Sequence, residues 1–124
     1  MIENFRLFQA GPDPFGRTFQ VEFRWQQNAI SIRHSDSVDV KFELSHGEDV
    51  EEKVIALMHP VLLRLSAHMN RPLTDAWCLK LAALHLKYMI ETDTDMDKVL
   101  VTPSYEDLER AAVALVESAS ISTP

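Results

Sequence analysis

The sequence predicts an α+β fold: an antiparallel meander of three to four strands packed on one face against three α-helices in a two-layer sandwich. Three observations predict it. Apolar and polar residues alternate with period two through most of residues 17–44. Beyond residue 45 the spacing becomes helical. The junctions between segments carry turn and cap chemistry. The expected domain covers residues 1–119, with 120–124 as a flexible C-terminal tail, and 124 residues suit one hydrophobic core.

The elements follow in order. Phe5 to Gln9 is an expected further strand, though its apolar residues do not alternate cleanly, and the glycines and prolines of Gly11-Pro-Asp-Pro-Phe-Gly16 make a loop. In RTFQVEFRW, residues 17–25, Phe19, Val21, Phe23 and Trp25 share one face, and Thr18, Gln20, Glu22 and Arg24 the other. Gln26-Gln27-Asn28 reads as a short polar break, because asparagine tolerates tight hairpin geometry. A second strand then runs from Ala29 to His34 with Ile30 and Ile32 on one side. After the turn Ser35-Asp36-Ser37, Val38, Val40, Phe42 and Leu44 alternate with Asp39, Lys41 and Glu43. Each strand is apolar on one side and polar on the other, so the sheet is expected to be covered on one face only.

Ser45-His-Gly-Glu48 has the spacing of a helix capping box. Val50, Val54, Leu57, Met58, Val61, Leu62, Leu65 and Met69 fall on one helical face, which predicts a kinked helix, or two helices end to end, over about 48–69, because Pro60 removes an internal hydrogen bond. Ala56, Leu63 and Ala67 form a second apolar patch opposite that stripe. Thr74 is a good N-cap, with Asp75 well placed in the first turn, for a central helix reaching about Glu91 that is apolar almost all round. Val99 to Val101 is a short edge-strand candidate. Thr102-Pro103 opens the last helix, with Ser104 and Asp107 offering a second cap, and its inner stripe is Leu108, Ala112, Leu115, Val116 and Ala119.

Charge excludes some functions. The net charge is −7, and residues 45–124 hold thirteen acidic against seven basic groups. Nucleic acids and anionic lipids need clustered Lys and Arg, which this part of the chain lacks. One cysteine permits no internal disulfide, and no basic segment followed by an apolar run marks the N-terminus, so the expected setting is a reducing cytoplasm with no membrane contact. Three glycines, Gly11, Gly16 and Gly47, allow no G-x-G-x-x-G or Walker-type loop, so no cofactor is expected.

Three sets of residues are candidates for chemistry. His68 and His85 are the catalytic candidates. If the first two helices form an antiparallel hairpin, His68 lies level with Cys78. Cys78 and His85, seven residues apart, are about 10.5 Å apart along the axis and so cannot share one zinc. The thiol's leucine and alanine surroundings also oppose an activated nucleophile. Asp93, Asp95 and Asp97 are the metal candidates, in a run with calcium-loop spacing. The match fails at Lys98 and Ser104, where an EF-hand requires Gly and Glu. Arg24, Arg33 and Lys41 are binding candidates on the polar sheet face, where they mix with Glu22, Asp39 and Glu43.

The excess of apolar helix surface leads to the first functional expectation: an interaction or regulatory module, paired with itself or with a protein partner in a complex. The alternative is a small cofactor-independent enzyme or ligand-binding domain, with a pocket between sheet and helices near His68, His85, Trp77 and Tyr88. A metal-binding regulator using residues 91–98 is a third class.

Overall fold

A computed structural model describes residues 2–29 and 36–122, without the side chains of residue 29 and of 119–122. It places five strands and three helices in that span. They are β1 (Leu7–Ala10), β2 (Phe19–Ala29), β3 (Ser37–His46), β4 (Asp49–Met58), α1 (His59–Met69), α2 (Asp75–Thr92), β5 (Leu100–Val101) and α3 (Tyr105–Ser122). The α+β class and the antiparallel character of the sheet agree with the sequence. The sheet is larger than a plain meander, however: its order is β1-β2-β3-β4-β5, the first three pairings antiparallel and β4-β5 parallel.

The inner face of the sheet carries Phe8, Val21, Val40, Phe42, Leu44, Ile55, Leu57 and Val101, all buried. Helix α2 lies across β1, β3 and β4, and α3 packs against both α1 and α2. Leu81, Leu86, Met89 and Ile90 of α2 are fully buried, as expected of a helix apolar nearly all round. The Thr74 side chain accepts a hydrogen bond from the Trp77 N–H at 3.1 Å, as its cap position predicts. At the other end Asp93 is left-handed, and the N–H groups of Asp93 and Thr94 bond the carbonyls of Ile90 and Met89, a Schellman ending. Ser104 and Asp107 exchange reciprocal hydrogen bonds of 3.1 and 3.0 Å at the start of α3, so the second cap is the one used.

Several expectations are corrected. The helix over 48–69 is a strand followed by a shorter helix. Gly47, with φ +60°, and Glu48 form a two-residue hairpin loop that returns β4 along β3 from Asp49 to Met58. Ser45 therefore lies within β3, opposite Val50, and caps no helix. Pro60 lies at the first turn of α1, where its missing N–H has no partner to lose, so it starts a helix where a kink was expected. The patch of Ala56, Leu63 and Ala67 does not exist, because Ala56 belongs to β4.

Gln26-Gln27-Asn28 is not a break. These residues continue β2 and pair with Val40, Asp39 and Val38. Within β2 the register to β3 slips between Phe23, opposite Phe42, and Trp25, opposite Lys41, which makes Arg24 the extra residue of a β-bulge. Trp25 therefore leaves the face of Phe19, Val21 and Phe23 and joins that of Lys41. The expected strand from Ile30 to His34 lies outside the described residues.

Candidate functional site

No helix among the described residues covers the outer face of the sheet. Along β2, β3 and β4 it presents Glu22, Arg24, Lys41, Glu43 and Glu52 in mixed signs. Lys41 pairs with Glu52 at 2.7 Å, and Arg24 lies 3.4 Å from Glu22 and 3.7 Å from Glu43. Arg24 and Lys41 thus share this face, while Arg33 lies outside the described residues. Toward the β4-β5 edge the face turns apolar. Val54 stands opposite both Lys41 and Leu100, Met58 ends the strand, and Val50 and Leu100 are each 60% exposed. Trp25 adds an exposed ring, with the Lys41 ammonium 5.8 Å from its centre.

The bulge has a second consequence. By shifting the register it turns Gln26 to the inner side, where its amide donates to the carbonyl of Asp75 in the first turn of α2 at 3.0 Å. Beside that bond a groove of about 810 Å³ opens between β2, α2 and the segment before β1. Phe5, Phe23 and Leu79 supply its apolar wall. Arg6 lies 5.0 Å from the centre of the Phe23 ring, and Lys80 lies 5.8 Å from that of Phe5. Among the described residues neither cation forms an ion pair with a carboxylate, although Glu3 and Asp75 also line the groove. A pocket between sheet and helix was expected, but around other residues.

His68, His85 and Cys78 are not brought together. His68 is exposed on α1, and its Nε2 lies 3.3 Å from the Glu109 carboxylate of α3. The helix that meets His68 is α3. Cys78 is buried, and burial, reinforced by the nearby Asp75 charge, pushes its thiol up to about 11, which leaves it protonated at neutral pH.

His85 is 3% exposed, and its Nδ1 has no hydrogen-bond partner among the described residues. It stacks toward Tyr88, ring centres 6.3 Å apart, beside a small cavity of about 180 Å³ between α2 and α3. Arg110 caps this cluster, lying 3.6 Å from the Tyr88 ring centre and 2.9 Å from Asp107. Burial holds the His85 imidazole below its ordinary range, Asp107 pulls it partly back up, and Arg110 pushes it down. Burial also works to raise the Asp107 carboxyl, but the Ser104 N–H and the Arg110 guanidinium outweigh it and hold it below the usual value.

Asp93, Asp95 and Asp97 lie together in the loop after α2, where Asp93 and Asp95 take left-handed backbone conformations that aspartate tolerates better than most residues. Asp95 accepts the Lys98 N–H through its carbonyl and pairs with the Lys98 side chain at 3.1 Å. Turn geometry accounts for acidic residues at a helix end whose dipole disfavours them. Among the described residues no group of three His, Cys, Asp or Glu side chains is arranged to hold a metal. The loop is tied to the sheet from below: Lys53, on the inner face of β4 and 2% exposed, donates to the carbonyls of Met96 at 2.9 Å and Lys98 at 2.6 Å.

Sequence reasoning missed the groove and Lys53. The Gly-Glu pair at 47–48 was the available signal for the hairpin and hence for Lys53 as a strand residue. No local signal announces the groove, which joins residues 3–6, 23–28 and 75–80. No helix among the described residues is long and apolar enough to cross a membrane. No family model, curated protein or solved structure matches the chain.

Proposed function

We propose that the chain is a protein-interaction module that pairs with a second copy of itself through the outer face of its sheet. The observation that carries this reading is the one-sided layering: helices cover the inner face only, while the outer face exposes Leu100 and Val50 beside Val54 and Met58. Exposed apolar patches next to polar rims favour association. Two-fold pairing is the commonest form of self-association and needs a self-complementary surface. Rows of Glu22, Arg24, Lys41, Glu43 and Glu52 meet that need, because cations and anions lie side by side. At about 4.8 Å between strands and 3.3 Å per residue, the face offers on the order of 500–800 Å², up to the per-partner share of a standard interface.

Light scattering tests this directly. The expected particle mass is about 28 kDa, twice the 14.1 kDa of the chain. Val54→Lys and, separately, Leu100→Glu are expected to give folded monomers. A wild-type chain that stays monomeric at about 0.5 mM sinks the reading, because an interface of standard size binds far more tightly than that.

A further inference from the structure

We propose that the groove between β2 and α2 is a binding site for a small planar carboxylate, its ring against Phe5 and Phe23 and its anion between Arg6 and Lys80. The inference stands apart from self-association, which uses the other face of the sheet.

The first argument is electrostatic. Six of the eleven described Lys and Arg side chains pair with a carboxylate, and Arg6 and Lys80 are among the five that do not. Arg6 and Lys80 come from distant parts of the sequence, line the same groove, and rest over aromatic rings instead of carboxylates. Glu3 and Asp75 line the groove too, yet neither is within ion-pair distance of these cations. Asp75 belongs to the first turn of α2, where the helix dipole favours a negative charge. Arg6 and Lys80 are thus left to meet an anion from outside.

The second argument is shape. A volume of about 810 Å³ is in the range of small-molecule sites, which combine apolar and aromatic walls with a few polar groups. Phe23 is itself braced edge-on by Phe42, ring centres 6.3 Å apart. Gln26 is fixed by its bond to the Asp75 carbonyl. The wall is therefore held by the fold before a ligand arrives, which lowers the ordering cost of binding. A ring on this wall and a carboxylate on the cations match both features. A cationic ligand of the same shape meets two like charges.

Three indoles of matched shape separate these terms: indole-3-acetate, indole-3-acetamide and tryptamine, carrying negative, zero and positive charge. Calorimetry on the full chain is expected to rank them in that order, with indole-3-acetate binding at a Kd below about 1 mM. The Phe23 and Leu79 amides, on the groove wall, should shift in NMR spectra. Arg6→Gln and Lys80→Gln should each weaken indole-3-acetate about tenfold, the loss of one charge-assisted contact, with the melting temperature unchanged. Equal affinity for all three probes, tryptamine binding best, or no shift at Phe23 and Leu79 overturns the proposal. So does a pair of folded variants that bind as well as the wild type.

Discussion

Lys53 and His85 are two basic side chains sunk in the same core, 2% and 3% exposed, and the structure treats them in opposite ways. Lys53 gives its Nζ to two backbone carbonyls of the loop after α2. His85 leaves Nδ1 without a partner among the described residues, and burial favours its neutral form. A buried polar group that satisfies its neighbours holds distant segments together, whereas one that is left unsatisfied reduces stability. Lys53 therefore reads as a tether between β4 and the acidic loop, and His85 as a weak point between α2 and α3.

The largest expected effect comes from cutting the tether. Lys53→Ala removes the buried stem and strips two carbonyls of their donor, and should cost about 3 kcal/mol in urea unfolding. Lys53→Met keeps most of the stem and isolates the hydrogen-bond part, about 1–2 kcal/mol. Both should speed amide exchange around Met96 to Lys98. If Lys53→Met unfolds at the wild-type midpoint with unchanged exchange, the contrast with His85 collapses.

The same lysine explains where the sequence could be read and where it could not. Helix α2, its Thr74 cap and the short edge strand β5 were legible because each signal is local: an apolar wheel, a cap residue, a β-branched pair. Strand β4 was not. Its inner residues are Glu51, Lys53, Ile55 and Leu57, so the lysine breaks the polar-apolar alternation that marks a strand, and the remaining apolar residues happen to fit a helical stripe. Only the partner carbonyls, more than forty residues away, make an inward lysine tolerable. Trp25 was misplaced for a related reason. One extra residue at Arg24 inverts the alternation beyond it, and a bulge is set by pairing with the neighbouring strand. Of the site candidates, Arg24 and Lys41 were placed on the right face because they precede or pair across that irregularity. His68, expected near a pocket between sheet and helices, is exposed beside Glu109, because half of the stripe from which the first helix was read belongs to β4.

His85 gives the second test. Its folded pKa lies below the ordinary 6.5, so between those values the unfolded chain binds more protons than the folded one. Its contribution to stability is thus complete above about pH 6.5 and is lost as pH falls through the folded value. His85→Leu, similar in volume and with no orphan nitrogen, should stay within about 1 kcal/mol of wild type at pH 7.5. It should also lose part of the decline seen on acidification to pH 5.5. Urea midpoints at the two pH values give the comparison. An unchanged pH slope in His85→Leu would show that the imidazole is not the acid-sensitive group.

The smallest effect probes the charges around that imidazole. Asp107 raises the His85 pKa and Arg110 lowers it, while the two bond each other at 2.9 Å. Asp107→Asn, which can still accept the Ser104 N–H, should therefore move the His85 titration down. Arg110→Gln should move it up, at the cost of the contact over Tyr88. The ring-proton signal of His85, followed by NMR through acid pH, reports both directions without relying on stability. Shifts of the same sign in the two variants would mean that rearrangement of Tyr88 and the cavity, and not the paired charges, sets the environment of His85. The weak point would then be a matter of packing alone, and its contrast with the hydrogen-bonded Lys53 would no longer be electrostatic.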